Sequence, residues 1–426
     1  MAYPRPMIAH AEGVYLYDTD GKRYLDAAGG PLVINVGHGR TEVVQAMAEQ
    51  AQTAAYTHAI MFTSQAAEDY AEALAKIVPL PNARFFPMTS GSEVVEAAIK
   101  LSRQIQMARG EQQRTHIISR QQSYHGMSLG ALSASGRAGL RAPYLDMMKT
   151  GTHVSPPYTY RDTRTGEEYA AELEQTILSL GAQNVAAFLA EPISGASLGG
   201  ALPPADYWGS VRAVCDRYGV LWIADEVLVG FGRTGKWWGH QHWNATPDII
   251  VTSKGAAGGY FPLGWVAAKG SDVDLISKTL GDFNHGGTFS HHPVGMAAGL
   301  AVLGILQREQ LVENAARVGA YLGEQLHAQL DQHSHVGNIR GRGLFWGIEW
   351  VQDKASKQPF DVSRKLAPTL WQAAFEHGVS LYYSQGCADG KHGDLILIGP
   401  PLIAQPSHID EILTALQLAM ADVFGK

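Results

Sequence analysis

Three short apolar runs end in charged residues, and the chemistry of those residues sets the first question. Asp225 and Glu226 close "VLWIADE", Glu191 closes "AAFLAE", and Lys254 closes "IIVTSK". Lysines usually sit on solvated faces. One held behind a buried strand loses water, which lowers its pKa, and a neutral amine condenses with an aldehyde. In "DIIVTSKGAAGGYFPLG", residues 248–264, Lys254 is followed by Gly255, Ala256, Ala257, Gly258 and Gly259. These small residues are expected to leave room for a cofactor. The plainer alternative is a lysine that caps a strand and faces water. Asp225 follows apolar residues, so its carboxylate is expected to be desolvated and to need a partner. A protonated ring nitrogen is one such partner; an ion pair with Arg233 is the alternative.

Two further stretches extend the set. In "TSGSEVVEAAIKLSR", residues 89–103, hydroxyls and a glycine precede a run with helical apolar spacing. Ser92 is expected to cap that helix, and Glu93 and Glu96 suit its positive end. Free N–H groups there, with Ser90, Gly91 and Ser92 around them, make a phosphate cradle. The spacing is neither that of a Walker loop nor G-x-G-x-x-G. In "SYHGMS", residues 123–128, Tyr124 and His125 follow another strand-like run. An aromatic beside a phosphate cradle can stack on a flat ring. Taken singly, each stretch reads as an N-cap, a core aromatic, an ion pair or a surface lysine. Taken together they describe one ligand, pyridoxal 5′-phosphate: a phosphate at a helix start, an aromatic over a ring, an acid at the ring nitrogen and an amine for the aldehyde.

Positioning such a set requires a sheet whose strand ends converge. "THIISR", "AAFLAEP", "VLWIADE" and "DIIVTSK" read as buried strands, and helical patterns such as "EYAAELEQTILSLG" and "DYWGSVRAVCDRYG" separate them. That alternation predicts an α/β domain with a mostly parallel sheet, and ligands of such sheets gather beyond the carboxyl ends of the strands. "GVYLYDTDGKRYLDAAGG" reads as a hairpin about Asp20-Gly21. After a long helical stretch from "HHPVGMAAG" to "GEQLHAQL", the segments "VGNIRGRGLFWGIEWV" and "GDLILIGPPL" read as strands of a second α/β unit. The expected division is an N-terminal segment 1–55 packing with the small domain, a large domain 56–315 and a small domain 316–426.

Composition narrows the classes of partner. With 426 residues, 46% hydrophobic and 17% charged, the chain suits a globular protein with a large core. The net charge of −7 and the absence of a dense basic tract disfavour nucleic acid and anionic membrane. Two cysteines, Cys215 and Cys387, build no disulfide framework. "MAYPRPMIAHAEG" lacks a basic stretch followed by an apolar core, and no run is long enough to span a bilayer, so the expected location is the cytoplasm. "HQH" at 240–242 and "HH" at 291–292 lack helical metal spacing, so no metal is expected.

The motifs "GHGRTEVVQAM", "TSGSEVVEAAIKLSR", "SYHG", "EPI", "ADEVLVGFGRTG", "PDIIVTSKGAAGGYFPLG", "GGTFSHHP" and "RGRGLFWGIE" together resemble the class III (ω-type) aminotransferases of PLP fold type I, from about residue 12 to residue 420. The resemblance implies a large domain with a mixed, mainly parallel seven-stranded sheet, a smaller α/β domain, and a homodimer with shared active sites. It implies that Lys254 forms the Schiff base, that Asp225 pairs with the pyridine nitrogen, and that Gly91 and Ser92 hold the phosphate. Tyr124 would stack on the ring with Val227 on the other face, Glu191 would order the bonds around Asp225, and Thr288 would reach the phosphate of the other subunit. The implied reaction moves an amino group from an amine or ω-amino acid to a keto acid such as pyruvate, by ping-pong kinetics through pyridoxamine phosphate.

One position departs from the family. Many members hold a substrate carboxylate with an arginine in a late strand; here the run is "ILIGPPL", with Leu397 at that position. Leucine cannot replace a bidentate clamp, which favours the branch acting on amines or ω-amino acids. Arg233, Arg40, Arg137 or a mobile arginine elsewhere are the candidates for the acceptor carboxylate. Expected pocket residues are Leu32 with Gly30 and Pro31, the aromatics Tyr56, Phe62, Tyr158, Trp237 and Trp238, and Leu397. Two other readings stand beside transamination: another PLP reaction on the same scaffold (racemase, aminomutase or decarboxylating), and a non-catalytic PLP-fold regulator.

Overall fold

The computed structural model describes residues 5–149 and 151–425; residues 1–4, 150 and 426, which belong to the three expected segments, lie outside the described residues. Strands β1 (Ile8–Glu12), β2 (Tyr15–Asp18) and β3 (Arg23–Asp26) form an antiparallel meander. The β2–β3 turn uses Gly21 at φ 83°, where a side chain would strain the backbone.

The central sheet follows: β4 (Arg84–Met88), β5 (His116–Arg120), β6 (Thr152–Val154), β7 (Val185–Ala190), β8 (Leu221–Asp225), β9 (Ile249–Thr252) and β10 (Gly264–Ala268). Their order is β4-β10-β9-β8-β7-β5-β6. Every pair from β9 to β6 is parallel, and β10 is antiparallel to both β4 and β9. This is an α/β fold with the mixed, mainly parallel seven-stranded sheet that the resemblance implies. Burial explains the apolar runs. Leu221, Ile223, Ala187, Leu189, Ile249 and Val251 pack under the Gly91–Ala108 helix. Phe188, Ala190, Trp222 and Ala224 face the opposite way, against the Gly166–Leu180 and Tyr207–Tyr218 helices. With both faces covered there is no polar alternation to see.

A third sheet closes the chain: β11 (Val336–Gly341), β12 (Trp346–Trp350), β14 (Tyr382–Gln385) and β15 (Asp394–Ile398), in the order β11-β12-β15-β14. Strand β13 (Val379–Ser380) leaves it and pairs with β3, which ties the N-terminal meander to the C-terminal segment. The stretch expected as one long helix is two, Pro293–Arg308 and Leu311–Leu330. Gln310 breaks it at φ 52°, a left-handed conformation that no helix continues through. No helix among the described residues is long and apolar enough to cross a membrane.

The C-terminal sheet also props the loop that follows β7. Gly199 in that loop lies against Gly347 of β12 so closely that a Cβ on Gly347 would stand 2.2 Å from the Gly199 carbonyl oxygen. Gly347→Ala is therefore expected to cost about 1–3 kcal/mol through overpacking. The check is the denaturation midpoint, which should fall; an unchanged midpoint would show that the loop yields freely.

Candidate active site

The central parallel strands β9, β8, β7 and β5 end on one edge of the sheet, and the chemistry-bearing residues follow those ends. β4, antiparallel to β10 as β9 is, ends there too. Residues 89–90 lead from β4 into the Gly91–Ala108 helix. Its apolar positions Val94, Val95, Ala98, Leu101 and Ile105 hold it on the sheet. Ser90, not Ser92, is the N-cap: its Oγ accepts from the Glu93 N–H at 3.3 Å. The amides of Gly91 and Ser92 lie in the first turn and have no partner within the helix. Ser92 Oγ instead accepts from the Met127 N–H at 3.0 Å and ties the cradle to the segment carrying Tyr124 and His125.

A cavity of about 440 Å³ joins these parts. Its lining includes Ser90, Gly91, Ser92, Tyr124, His125, Glu191, Asp225, Val227 and Lys254, with Pro31, Arg137, Ile193 and Tyr382. Lys254 has φ 38°, unusual for a residue with a side chain, and begins a tight turn after β9. No hydrogen bond or ion pair engages its amine among the described residues. Burial pushes the amine down to about 8; Asp225 and Glu191 pull it back only in part. Glu191 is buried too, and burial pushes its carboxyl up. Its Oε1 accepts from the Gly195 N–H at 3.0 Å, while Arg120 donates to its backbone carbonyl.

Asp225 makes no ion pair with Arg233. Its Oδ2 lies 2.6 Å from His125 Nδ1, and its Oδ1 accepts from the Val227 N–H at 3.0 Å. His125, expected at the cofactor, thus also orients the acid. Arg233 donates to the carbonyls of Leu344, Pro400 and Ile34, and so binds the N-terminal segment to the C-terminal one.

Other expectations are corrected. The small residues after Lys254 make room for protein, not for a cofactor. A Cβ on Gly258 would stand 2.4 Å from Asn35 Oδ1, one on Gly259 2.6 Å from Ile34 Cδ1, and one on Gly255 2.9 Å from Phe231 Cβ. The open space is the cavity that Lys254 lines together with Gly91, Tyr124 and Val227. Of the expected pocket residues, Pro31 lines the cavity. Leu32, Tyr158 and Leu397 do not; they are buried in an apolar cluster with Ile193 and Val229 and stand behind that wall. Trp238 is in the core, its N–H on the Ile77 carbonyl, and Trp237 packs against the core. Tyr56 lies in a different recess with Phe86 and Lys100, and Phe62 is exposed; Thr288, expected at the phosphate of the other subunit, lines that same recess, which does not contradict that expectation. The cavity aromatics are Tyr124 and Tyr382. Tyr382 was missed because it comes from β14, far along the chain and without a strand-end signal. His240 pairs with Glu226 at 2.7 Å, and His242 with Thr234 at 3.0 Å.

An amine kept close to neutrality, a buried acid with an orienting histidine, and unpaired amides at a helix start fit pyridoxal phosphate. Comparison with known proteins gives the family. The aminotransferase class-III profile matches residues 3–420. An aminotransferase of Schizosaccharomyces pombe is 42% identical over 96% of this chain and 91% of its own. The putrescine–pyruvate aminotransferase of Pseudomonas aeruginosa is 34% identical over 96% of this chain and 89% of its own. A crystal structure of an amine transaminase from an uncultivated Pseudomonas species, in its PLP-bound form, superposes with a TM-score of 0.91 at 36% identity, over 99% of this chain and 95% of that one. The chain belongs to the class III aminotransferases, transaminases that use pyridoxal phosphate.

The lowered pKa has a testable sign in the cofactor-free protein. Below pH 8, folded and unfolded chains both carry the Lys254 charge, and the folded one bears its full burial cost. Between 8 and 10.5 the unfolded chain binds more protons, so this contribution raises stability as pH rises. Lys254→Met should therefore raise the cofactor-free melting temperature at pH 7, and the gain should fade toward pH 10.5. A variant no more stable than wild type at pH 7 would show that the amine is well solvated.

Proposed function

We propose that this aminotransferase moves an amino group from an amine or ω-amino acid to a keto acid such as pyruvate, by ping-pong kinetics. The observation that carries the reading is Lys254, its amine unpaired and its charge destabilised by burial, in one cavity with the Asp225–His125 pair and the Gly91–Ser92 helix start. The amine side rests on a cavity wall with little charge, including Pro31, Leu140, Ile193, Ala196, Leu228 and Val229, and on Leu397, which adds only apolar surface behind it. The likeness to a putrescine–pyruvate enzyme and to an amine transaminase points the same way.

Each residue then has a role. The Gly91 and Ser92 amides would hold the phosphate, with the Ser90 and Ser92 hydroxyls beside them. Tyr124 would cover one ring face and Val227 the other. Asp225 would accept a hydrogen bond from a protonated ring nitrogen, and His125 keeps that carboxylate in place. Glu191, behind Asp225, holds its surroundings through Gly195. Bound pyridoxal phosphate supplies an aldehyde and an electron-withdrawing ring. Lys254 would hold the group through that aldehyde, and its amine, once freed by a donor amine, would take the proton from the reacting substrate carbon and return it as acid. In the cofactor-free chain burial brings that amine down to about 8, which suits a group that must both take and give a proton.

The same reading divides the chain into 1–55, 56–315 and 316–426, in keeping with its three sheets, and places it in the cytoplasm, in keeping with its two buried free thiols. It also makes the protein a homodimer. Ile60, Met61, Phe62 and Phe289 expose 60–86% of their surface beside the recess holding Tyr56 and Thr288. Exposed clusters of this kind mark interfaces. A second copy covering this face would bring Thr288 to its neighbour's phosphate.

Two experiments test the reading. Holoprotein mixed with a panel of amines and ω-amino acids, without acceptor, should convert its near-visible cofactor band. No conversion with any donor would favour a racemase, aminomutase or decarboxylase. Phe62→Glu should shift sedimentation from dimer to monomer and lower activity at least tenfold; an intact dimer would move the interface elsewhere.

A further inference from the structure

A keto-acid acceptor carries a carboxylate, and a carboxylate entering a desolvated cavity needs a cation. Two of the three candidate arginines are committed. Arg40 spends Nη1 and Nη2 on the Glu309 carboxylate and Nε on the Val36 carbonyl. Arg233 is buried on three backbone carbonyls. Leu397 offers nothing. The basic side chains lining the cavity are Lys254, which has its own task, His125, which is held by Asp225, and Arg137.

Arg137 is placed with some rigidity and left largely free. Its single hydrogen bond among the described residues runs from Nη2 to the Gln385 carbonyl at 3.3 Å, and no carboxylate pairs with it. A guanidinium has five donors, so most of the fork is unspent. The backbone before it is clasped: the Gly136 N–H donates to the Ser123 carbonyl and hydroxyl at 3.0 and 3.1 Å. A Cβ on Gly136 would stand 2.2 Å from the Arg120 carbonyl oxygen, so the chain passes there only as glycine. Ser123 adjoins Tyr124, and Gln385 ends the strand that begins with Tyr382. Arg137 thus spans the two tyrosines of the cavity, and the charge of Arg137 and the hydroxyl of Tyr382 are both felt at the Tyr124 hydroxyl.

We infer that Arg137 receives the carboxylate of the keto-acid acceptor and, as the one uncommitted cation that the described residues give the cavity, favours acceptors with one carboxylate over those with two. The inference rests on the transamination reading above. A planar fork suits a carboxylate bidentately, whereas a second carboxylate would be buried unpaired. An amine donor without a carboxylate needs no such contact, so one cavity serves both half-reactions.

The test compares acceptors in holoenzyme, with a simple amine as donor. For Arg137→Gln, kcat/KM for pyruvate should fall about ten- to a hundredfold, and for butanal at least tenfold less. Arg137→Lys should recover part of the loss. The inhibition constant of butanoate, which cannot react, should rise with the pyruvate loss. Wild type should prefer pyruvate to 2-oxoglutarate at least tenfold. Parallel losses with pyruvate and butanal would make Arg137 a structural residue and overturn the inference, as would no loss with pyruvate. Equal use of 2-oxoglutarate by wild type would overturn the one-cation claim. Turnover of neither acceptor by wild type would contradict the transamination reading itself, and the inference with it.

Discussion

The organising constraint is desolvation at the carboxyl edge of a sheet covered on both faces. β7, β8 and β9 are buried along their whole lengths. Charged groups in this region therefore collect where the strands end, and Glu191, Asp225 and Lys254 are found there. Each meets a different fate. Asp225 takes a histidine and a backbone amide and stays paired. Glu191 keeps one amide partner and the Arg120 guanidinium at 3.9 Å, and burial still pushes its proton affinity up. Lys254 takes no partner among the described residues, and burial pushes its pKa down to about 8. A surface lysine would be neither reactive nor costly; this one is both, and the cost falls on the cofactor-free protein.

The rest of the structure serves that edge. The Gly91–Ala108 helix delivers unpaired amides to it because its apolar stripe locks onto the same strands. Arg120 and Trp208 donate to the carbonyls of Glu191 and Pro192 and fix the loop after β7. The N-terminal segment packs Ile34 and Asn35 into the glycines after Lys254, so the turn that aims the lysine is held from behind. Contacts distant in sequence thereby set the position of one amine.

Much of this was legible in the sequence, for identifiable reasons. Runs such as "VLWIADE" announce a doubly covered strand, and a charged residue at the end of one is conspicuous. Asp225, Glu191 and Lys254, with the Ser90–Ser92 helix start, could be read that way. The partner of Asp225 could not. His125 and Arg233 are both plausible by charge, and only the path of the loop after β5 brings His125 to 2.6 Å. The glycines after Lys254 were misjudged because a sequence shows where side chains are missing and not what fills the gap. The pocket was misjudged at Tyr158, Trp238 and Leu397 because large apolar residues look alike whether they line a wall or stand behind it. Tyr382 and the clasp that holds Arg137 depend on contacts between distant segments, which no local pattern records.

The most direct measurement is the titration of the Lys254 amine in the cofactor-free protein. Lysine labelled with 15N at Nζ would be followed by NMR, with Lys254→Arg used to assign the resonance. A midpoint of about 8 is the result expected from burial without a partner. A midpoint at the ordinary 10.5 would mean that water reaches the amine freely, and would contradict the claim that the sheet edge keeps it ready to react.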